Sequence, residues 1–318
     1  MPVRNAAPFL DACVRSILAQ TFADFEFVIF DDGSTDPSSA MLASWAVREP
    51  RVRVVRSETS LGLVGSSNAA VRASRAPIVA RMDADDVAHP DRLAEQYAIL
   101  AREPDAVLVG TVFEGIDAEG RTVRSPDRWR LLRPSPFAPF PHGSIMFRRG
   151  AFDAIGGYDP RAEYWEDLDL FRRLAARGRV FVLPQALYRY RFHASSVRLA
   201  DRPAEVERAV ARMWRTVAPR RRAGGAGEDE AEDERDPRVL YSLAASRLWA
   251  GHDPRLWPRL RWRALASADP IVAGIFGVAA AASVSPRAAR FALATIIAAR
   301  DRLAGWRIGR EPREWHFA

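Results

Sequence analysis

The first half of the chain alternates short apolar runs with amphipathic segments, and this alternation limits the fold more than any other feature. The apolar runs, rich in β-branched residues, cover residues 25–30, 52–55, 78–82 and 106–109. Before and between these runs, apolar residues recur at helical spacing, as in residues 8–20, where Pro8 suits the first turn of a helix. Strands and helices in alternation at these lengths predict an α/β domain with a doubly wound, mostly parallel sheet.

The run at residues 78–82 ends in a cluster of carboxylates, Asp83, Asp85 and Asp86. We expect a buried parallel strand here, and in open α/β sheets ligands bind just beyond the carboxyl ends of such strands. Asp83 and Asp85 are two residues apart, so in extended backbone they point the same way and can converge on one hard cation or its ligand. A solvated acidic loop is the alternative. Asp31 also ends a predicted strand, whereas Asp36, before Pro37, is expected to cap the next helix.

Composition excludes several classes of chemistry. The single cysteine, Cys13, rules out a disulfide framework and a cysteine metal site, and favours a reducing compartment. All 47 basic residues are arginine, so a phosphate-binding loop lysine and a Schiff-base lysine are absent. The net charge of +7 suits an anionic partner such as a nucleotide diphosphate or an acidic membrane, although a solvated arginine-rich surface explains it equally well.

The predicted first helix has few residues ahead of it, whereas a sheet of this kind opens with a strand. We therefore expect the natural gene product to begin upstream of Met1, with several apolar residues that complete the first strand. The intact mass of the protein from its own host tests this expectation.

Several short motifs follow one another in a fixed order along residues 1–198. They are Met1-Pro2-Val3-Arg4-Asn5, Ser16-Ile17-Leu18-Ala19-Gln20-Thr21-Phe22, Asp31-Asp32-Gly33-Ser34-Thr35-Asp36, Asp83-Ala84-Asp85-Asp86, Ile155-Gly156-Gly157-Tyr158, Glu166-Asp167 and Tyr190-Arg191-Phe192-His193. In these motifs and their order the chain resembles glycosyltransferase family 2. The resemblance implies a GT-A, Rossmann-like fold and an inverting transfer of a sugar from a nucleotide diphosphate sugar, assisted by Mn²⁺ or Mg²⁺.

The resemblance also implies roles for individual residues. Those expected to bind the nucleotide sugar are Pro2, Val3, Asn5, Asp31, Asn68, Arg81, Asp83, Asp85 and Arg191. Asp85 and His193 are expected to hold the metal, and Asp167 to act as general base beside Glu166, with a pKa lowered by the helix dipole. His142 and Trp165 are expected in the acceptor cleft.

Alternatives remain for some of these residues. Arg81 can form an ion pair with the carboxylates instead of binding phosphate, Asp32 can be structural, and His142 can belong to a surface loop. Acids in a first helical turn stabilise the helix whether or not they react, so Glu166 and Asp167 have a structural alternative too.

The chain departs from the pattern at Ser60 and Ser67, where relatives commonly carry an asparagine and an arginine. The departure leaves open a non-catalytic protein that binds a nucleotide sugar or a glycan and assists a partner glycosyltransferase. A phosphatase with an Asp-x-Asp nucleophile is disfavoured, because its aspartates normally end the first strand and a lysine usually steadies the phosphoaspartate.

The expected organisation is a catalytic domain over residues 1–198, a helical extension over 199–222, an acidic flexible linker over 223–236 and a helical, arginine-rich region over 237–318. In the last region, Trp306 and Trp315 suggest contact with an acidic membrane surface, with a packed subdomain or a homodimer interface as alternatives. We expect sugar transfer, with UDP-sugars favoured, to a glycan or lipid-linked acceptor in the synthesis of a bacterial surface polysaccharide or glycolipid. The expected location is the cytoplasm or the inner face of the plasma membrane, without a nucleic-acid partner.

Overall fold

The computed structural model describes residues 1–124, 140–162, 165–193 and 312–315. The helices are α1 (Ala7–Leu18), α2 (Ser38–Arg48), α3 (Gly62–Ala73), α4 (Arg92–Arg102), α5 (Arg149–Ala154) and α6 (Glu166–Ala175). The strands are β1 (Pro2–Val3), β2 (Phe27–Asp32), β3 (Val52–Ser57), β4 (Ile78–Ala80), β5 (Val87–Ala88), β6 (Ala106–Ile116), β7 (Thr122–Arg124), β8 (Met146–Arg148), β9 (Arg179–Arg191) and β10 (Arg313–Trp315). The α/β class and the alternation predicted from the sequence are confirmed.

The first sheet is parallel throughout, in the order β1-β2-β3. Helix α1 buries its apolar stripe, including Leu10, Val14 and Ile17, in the core beside this sheet. Asp36 caps as expected: its Oδ1 accepts a hydrogen bond from the Ser38 backbone N–H at 2.9 Å, at the start of α2. Its other oxygen accepts from Ala7 N at 3.1 Å, so one carboxylate fixes the starts of two helices.

The second sheet is mixed, with the path β10-β9-β6-β8-β4 and with β5 on β9 and β7 on β6. The prediction that residues 78–82 form a parallel strand is wrong, because β4 pairs antiparallel with β8. In this sheet β6 and β9 pair in parallel, and the other pairs are antiparallel among the described residues. The sequence predicts a hairpin over residues 113–123 with its turn at Glu119-Gly120, and the pairing of β6 with β7 confirms it. Gly120 has a positive φ of 84°, which suits glycine.

Strand β9 is one 13-residue strand, whereas the sequence predicts a strand over residues 180–183 that ends at Pro184 and a second strand over residues 187–193. The register of β6 against β9 shifts between Thr111 and Val112, which pair with Leu183 and Ala186. The residues between these partners therefore form a bulge, which accommodates a proline that has no N–H to donate. The strand continues past the bulge to Arg191 and so reaches the carboxylate cluster.

Residues 313–315 form strand β10 on the edge of the second sheet, antiparallel to β9. The expected helical structure of residues 237–318 is therefore wrong at these three residues. Trp315 is buried in the core, with 5% of its surface exposed, and does not face a membrane. The predicted helical extension at residues 199–222, the predicted linker at 223–236 and most of the predicted helical region at 237–318, including Trp306, lie outside the described residues. None of the helices in the described ranges is both long and apolar enough to cross a bilayer.

A cavity of about 450 Å³ separates the start of β2 from β4. Pro2 lines it, and the Met1 ammonium beside it is buried, donates to Val28 O at 2.9 Å, and has its pKa lowered to about 5 by desolvation. The expectation that further apolar residues complete β1 stays a prediction.

Candidate active site

The carboxylate cluster follows β4, as the sequence predicted for a ligand site. Asp83 Oδ1 lies 2.8 Å from Arg81 Nη2, so the ion pair expected as an alternative role of Arg81 is present. Arg81 is 6% exposed, and its Nη1 donates to Ser67 Oγ at 2.9 Å. Its Nε has no hydrogen-bond partner within the described part of the chain. Arg81 therefore holds Asp83 in place and keeps one buried donor available.

Asp85 and His193 meet although 108 positions separate them in the chain. Asp85 Oδ2 lies 3.0 Å from His193 Nε2, and the Phe9 ring packs against the imidazole with ring centroids 4.4 Å apart. A carboxylate oxygen suits both Mn²⁺ and Mg²⁺, and an imidazole nitrogen suits transition-metal ions, which favours Mn²⁺ of the two. The described ranges contain no group of three or more metal-binding side chains. The pair therefore fits a metal whose remaining ligands are diphosphate oxygens and water.

Asp86 and Arg191 tie this loop to the end of β9. Asp86 Oδ2 accepts from Tyr188 Oη at 2.6 Å, and its Oδ1 accepts from the Arg191 backbone N–H at 2.7 Å. The guanidinium of Arg191 donates through Nε to Asp85 O at 2.6 Å, and through Nη1 to Asp117 O and Ala118 O at 2.9 Å each. Arg191, expected to bind the nucleotide sugar, thus has two of its three guanidinium nitrogens, Nε and Nη1, engaged with backbone carbonyls.

Glu166 and Asp167 begin α6, and both pKa values are raised. Desolvation, followed by the charge of Asp167, raises the pKa of Glu166 to about 7. Desolvation also raises the pKa of Asp167, although the Leu168 N–H donates to its Oδ1 at 2.7 Å. The expectation that the helix dipole lowers the pKa of Asp167 is therefore wrong, because loss of hydration outweighs the dipole at this partly buried helix start. A carboxylate with a raised pKa is a stronger base.

His142 and Trp165, the two residues expected in the acceptor cleft, are partly buried and buried, respectively. His142 Nε2 lies 2.7 Å from Tyr158 Oη, and burial, with the nearby charge of Arg81, lowers the pKa of His142 so that the imidazole is neutral. This partly buried contact contradicts the surface-loop alternative. Trp165 is 7% exposed, and its Nε1 has no partner among the residues that the structure describes.

Several residues expected at the nucleotide are occupied by structural contacts. Asp31 accepts from Ser34 N at 3.0 Å and from Ser39 Oγ, and Asn5 Oδ1 accepts from Thr35 N at 2.8 Å. Asn68 forms a two-way contact with the backbone of Tyr158, donating to its O at 2.9 Å and accepting from its N at 3.0 Å.

Val3 and Asp32, two further candidates for nucleotide binding, also have structural roles. Val3 is buried in β1. Asp32 has the structural role considered as its alternative, since it accepts from Ser60 Oγ at 2.8 Å and from Leu61 N at 2.6 Å. Ser60, one of the two departures from the family pattern, therefore supports a loop.

The sequence did not single out Tyr188 or assign a role to Tyr158. Tyr188 is fully buried, and its hydroxyl contacts Asp86 and accepts from Asp83 N at 3.4 Å. Alternation along residues 187–193 placed Tyr188 in a strand, but nothing in the pattern indicated which strand face meets the carboxylates. Tyr158 is the last residue of the motif Ile155-Gly156-Gly157-Tyr158, and this position was the only indication of a role in the site.

The chain has the GT-A fold seen in solved glycosyltransferases, with the carboxylate cluster at the end of β4 and the acid pair at the start of α6. A mannosyltransferase from Pyrobaculum calidifontis, PcManGT, solved with GDP-Man and Mn²⁺, has a similar structure, with a TM-score of 0.60 and 20% sequence identity. The similarity covers 95% of this chain and 85% of PcManGT.

Sequence comparisons give the family. The model of the family Glycosyl transferase family 2 matches residues 1–157 of the chain. The chain is 30% identical to EpsE of Bacillus subtilis (strain 168) over 200 residues, which are 60% of this chain and 71% of EpsE. It is 32% identical to the amylovoran biosynthesis glycosyltransferase AmsE of Erwinia amylovora over 190 residues, 57% of this chain and 70% of AmsE. It spans only 26% of the chondroitin synthase of Escherichia coli, at 29% identity over 180 residues. The chain belongs to glycosyltransferase family 2.

Proposed function

We propose that this glycosyltransferase transfers a sugar from a nucleotide diphosphate sugar, with inversion at the anomeric carbon and with help from Mn²⁺ or Mg²⁺. The observation that carries the proposal is the pairing of Asp85 with His193 at 3.0 Å, beside the Arg81–Asp83 ion pair. Nothing in local sequence spacing requires this meeting of two metal-binding atoms from distant parts of the chain. PcManGT, which has a similar fold, was solved with Mn²⁺ and the nucleotide sugar GDP-Man, and this supports a divalent cation and a nucleotide sugar as ligands here.

Each residue of the site has a distinct part in the proposed reaction. Asp83, oriented by Arg81, contacts the ribose of the donor, and Asp85 with His193 holds the divalent cation. When bound, the cation neutralises charge on the diphosphate and stabilises it as a leaving group. The buried donor at Arg81 Nε adds a positive charge near the same position.

Asp167 is the proposed general base. The acceptor hydroxyl oxygen attacks the anomeric carbon from the face opposite the diphosphate, the bond from this carbon to the diphosphate oxygen breaks, and the hydroxyl proton moves to the Asp167 carboxylate. The raised pKa of Asp167 favours this transfer, since an ordinary aspartate is a weak base. Glu166 beside it contacts the acceptor, and His142 and Trp165 line the acceptor cleft.

The names of the relatives suggest the product class. Amylovoran biosynthesis and chondroitin synthesis are both polysaccharide assembly. We infer that the acceptor is a growing glycan or a lipid-linked glycan in the synthesis of a surface polysaccharide or glycolipid. The reaction then takes place in the cytoplasm or at the inner face of the plasma membrane.

Calorimetric titration with UDP, GDP and dTDP, with and without Mn²⁺, tests the donor side. We expect one nucleotide to bind in a metal-dependent way to the wild type and at least about 10-fold more weakly to Asp85→Ala. Lack of binding to any of the three would instead favour the non-catalytic alternative.

Asp167→Asn tests the base. Turnover should fall by about 10²- to 10⁴-fold, the usual contribution of a general base, while nucleotide affinity stays unchanged. Asp153→Asn on α5 is the control, because Asp153 is exposed and has no proposed role. Equal turnover in Asp167→Asn and wild type would exclude Asp167 as the base, and the configuration of the product by NMR tests inversion.

A further inference from the structure

Asp86 is a buried carboxylate that the proposed reaction does not use. It is 1% exposed, and desolvation and the charges of Asp85 and Asp83 raise its pKa well above the ordinary value. Both of its hydrogen-bond donors are neutral groups, the Tyr188 phenol and the Arg191 peptide N–H. Three carboxylates in four residues repel one another, so this arrangement is a poor way to stabilise a fold.

The two contacts of Asp86 join the segments that carry the metal-binding pair. Asp86 follows Asp85 directly, and Arg191 is two residues before His193. Arg191 returns the contact, because its Nε donates to Asp85 O at 2.6 Å. The pairing of β5 with β9, Val87 with Arg189, continues the same junction by one more residue.

A closed ring of hydrogen bonds therefore links the segment that carries Asp85 to the segment that carries His193. It runs from Asp85 through Asp86 to the Arg191 backbone, and from the Arg191 side chain to the Asp85 carbonyl. Tyr188 fixes Asp86 from the other side and also contacts Asp83 N. The ring of hydrogen bonds therefore fixes the backbone of the loop that carries Asp83 and Asp85.

We propose that Asp86 is a positioning residue that, with Tyr188, sets the geometry of the Asp85–His193 pair for a divalent cation. The proposal rests on the proposed function, in which this pair holds the metal. Residues that orient metal ligands typically change metal affinity by about 10- to 100-fold when they are replaced. Asp86 acts only through Asp85, Arg191 and Tyr188.

The test uses Mn²⁺ binding to the full 318-residue chain in the presence of UDP, GDP or dTDP. Titration gives the Mn²⁺ affinity, and pulsed electron paramagnetic resonance of the bound Mn²⁺ detects the His193 nitrogen. In Asp86→Ala we expect an affinity about 10- to 100-fold lower and loss of the nitrogen coupling. Asp86→Asn, which keeps an acceptor for Arg191 N and a polar partner for Tyr188 Oη, should retain the coupling, and Tyr188→Phe should fall between the two.

Leu108→Ala is the control for general loosening, because Leu108 is fully buried in the β6 core and contacts none of the loop carboxylates by hydrogen bond or ion pair among the described residues. It should lower the melting temperature and leave Mn²⁺ affinity and nitrogen coupling unchanged. A wild type without nucleotide-dependent Mn²⁺ binding would overturn the proposed function, and this proposal with it. A wild type that binds, with equal affinity and coupling in Asp86→Ala, would overturn the positioning role alone. Equal losses in Leu108→Ala and Asp86→Ala would overturn it too.

Discussion

Replacing Glu166 with glutamine should stabilise the protein, and the gain should grow with pH. The carboxyl group is 8% exposed, and its pKa rises from 4.5 in the unfolded chain to about 7 in the fold. Below pH 4.5 the group is protonated in both states and costs nothing. Between pH 4.5 and pH 7 the unfolded chain loses the proton first, so folding stability falls as pH rises, and above pH 7 the full penalty remains.

The shift gives the size of the effect. A shift of one pKa unit corresponds to about 1.4 kcal/mol, so Glu166 destabilises the folded state by about 3 kcal/mol at pH 8.5. Glutamine removes most of this penalty, and the pKa of about 7 already includes the favourable effect of a negative charge at a helix N-terminus. We therefore expect Glu166→Gln to gain about 2–3 kcal/mol at pH 8.5 and less than about 1 kcal/mol at pH 5.

Urea unfolding, followed by circular dichroism at several pH values from 5 to 8.5, measures this difference. A gain of 2–3 kcal/mol corresponds to roughly 4–12 °C in melting temperature for a unit of this size. Glu58→Gln is the matched control, because Glu58 is exposed and should show no comparable trend. A Glu166→Gln variant that is less stable than the wild type, or whose difference does not grow with pH, would refute desolvation as the cause of the raised pKa.

Three further substitutions test the fold around the site. Gly143→Ala should weaken nucleotide binding, because its Cβ would lie 2.6 Å from Asp83 Oδ2 and would also collide with Tyr188 Oη; unchanged binding would mean that the loop shifts freely. Asp36→Ala should lower the free energy of unfolding by about 1–2 kcal/mol in urea titrations, because the starts of α1 and α2 both lose a hydrogen-bond acceptor. A loss smaller than about 0.5 kcal/mol, the least expected for one helix cap, would show that Asp36 does not stabilise both helices. Trp315→Ala should cost about 3–5 kcal/mol in the same assay if β10 is part of the core, whereas a neutral change would show that the strand contributes little.

The helices and parallel strands of residues 1–73 could be predicted because each is a local pattern. Apolar periodicity gave α1, a buried run gave β2, and the Asp36-Pro37 signal gave the start of α2. The direction of β4 could not be predicted in this way. A buried strand has the same composition whether its neighbour is parallel or antiparallel, and its partner β8 lies 66 or more positions later.

Strands β9 and β10 show a second limit. Pro184 predicted a break, and only the bulge opposite Thr111 and Val112, a property of two strands together, allows one strand to continue through it. Strand β10 has three residues and follows a long stretch of helical pattern, so nothing local marks it. Both features depend on contacts across long sequence separations, which periodicity does not record.

For the candidate site, motif matching gave one set of candidate residues and did not separate those proposed to bind ligand from those that shape the loops. Asn68, Asn5 and Arg191 are each engaged by backbone groups of a neighbouring segment. A motif keeps both kinds of residue, because losing a loop support displaces the ligand-binding residue beside it. Only three-dimensional contacts tell them apart, by showing which polar atoms are already engaged and which face the site.

That distinction changes how the departures from the family pattern should be weighed. Ser67 lacks the guanidinium that relatives commonly have, yet it accepts a hydrogen bond from Arg81, whose own guanidinium is buried beside Asp83. Ser60 supports Asp32 and the turn before α3. Both serines are therefore integrated into the structure of the site and are not signs of its decay. The non-catalytic alternative was raised at these two positions, so nucleotide binding and turnover are the properties that separate it from an enzyme.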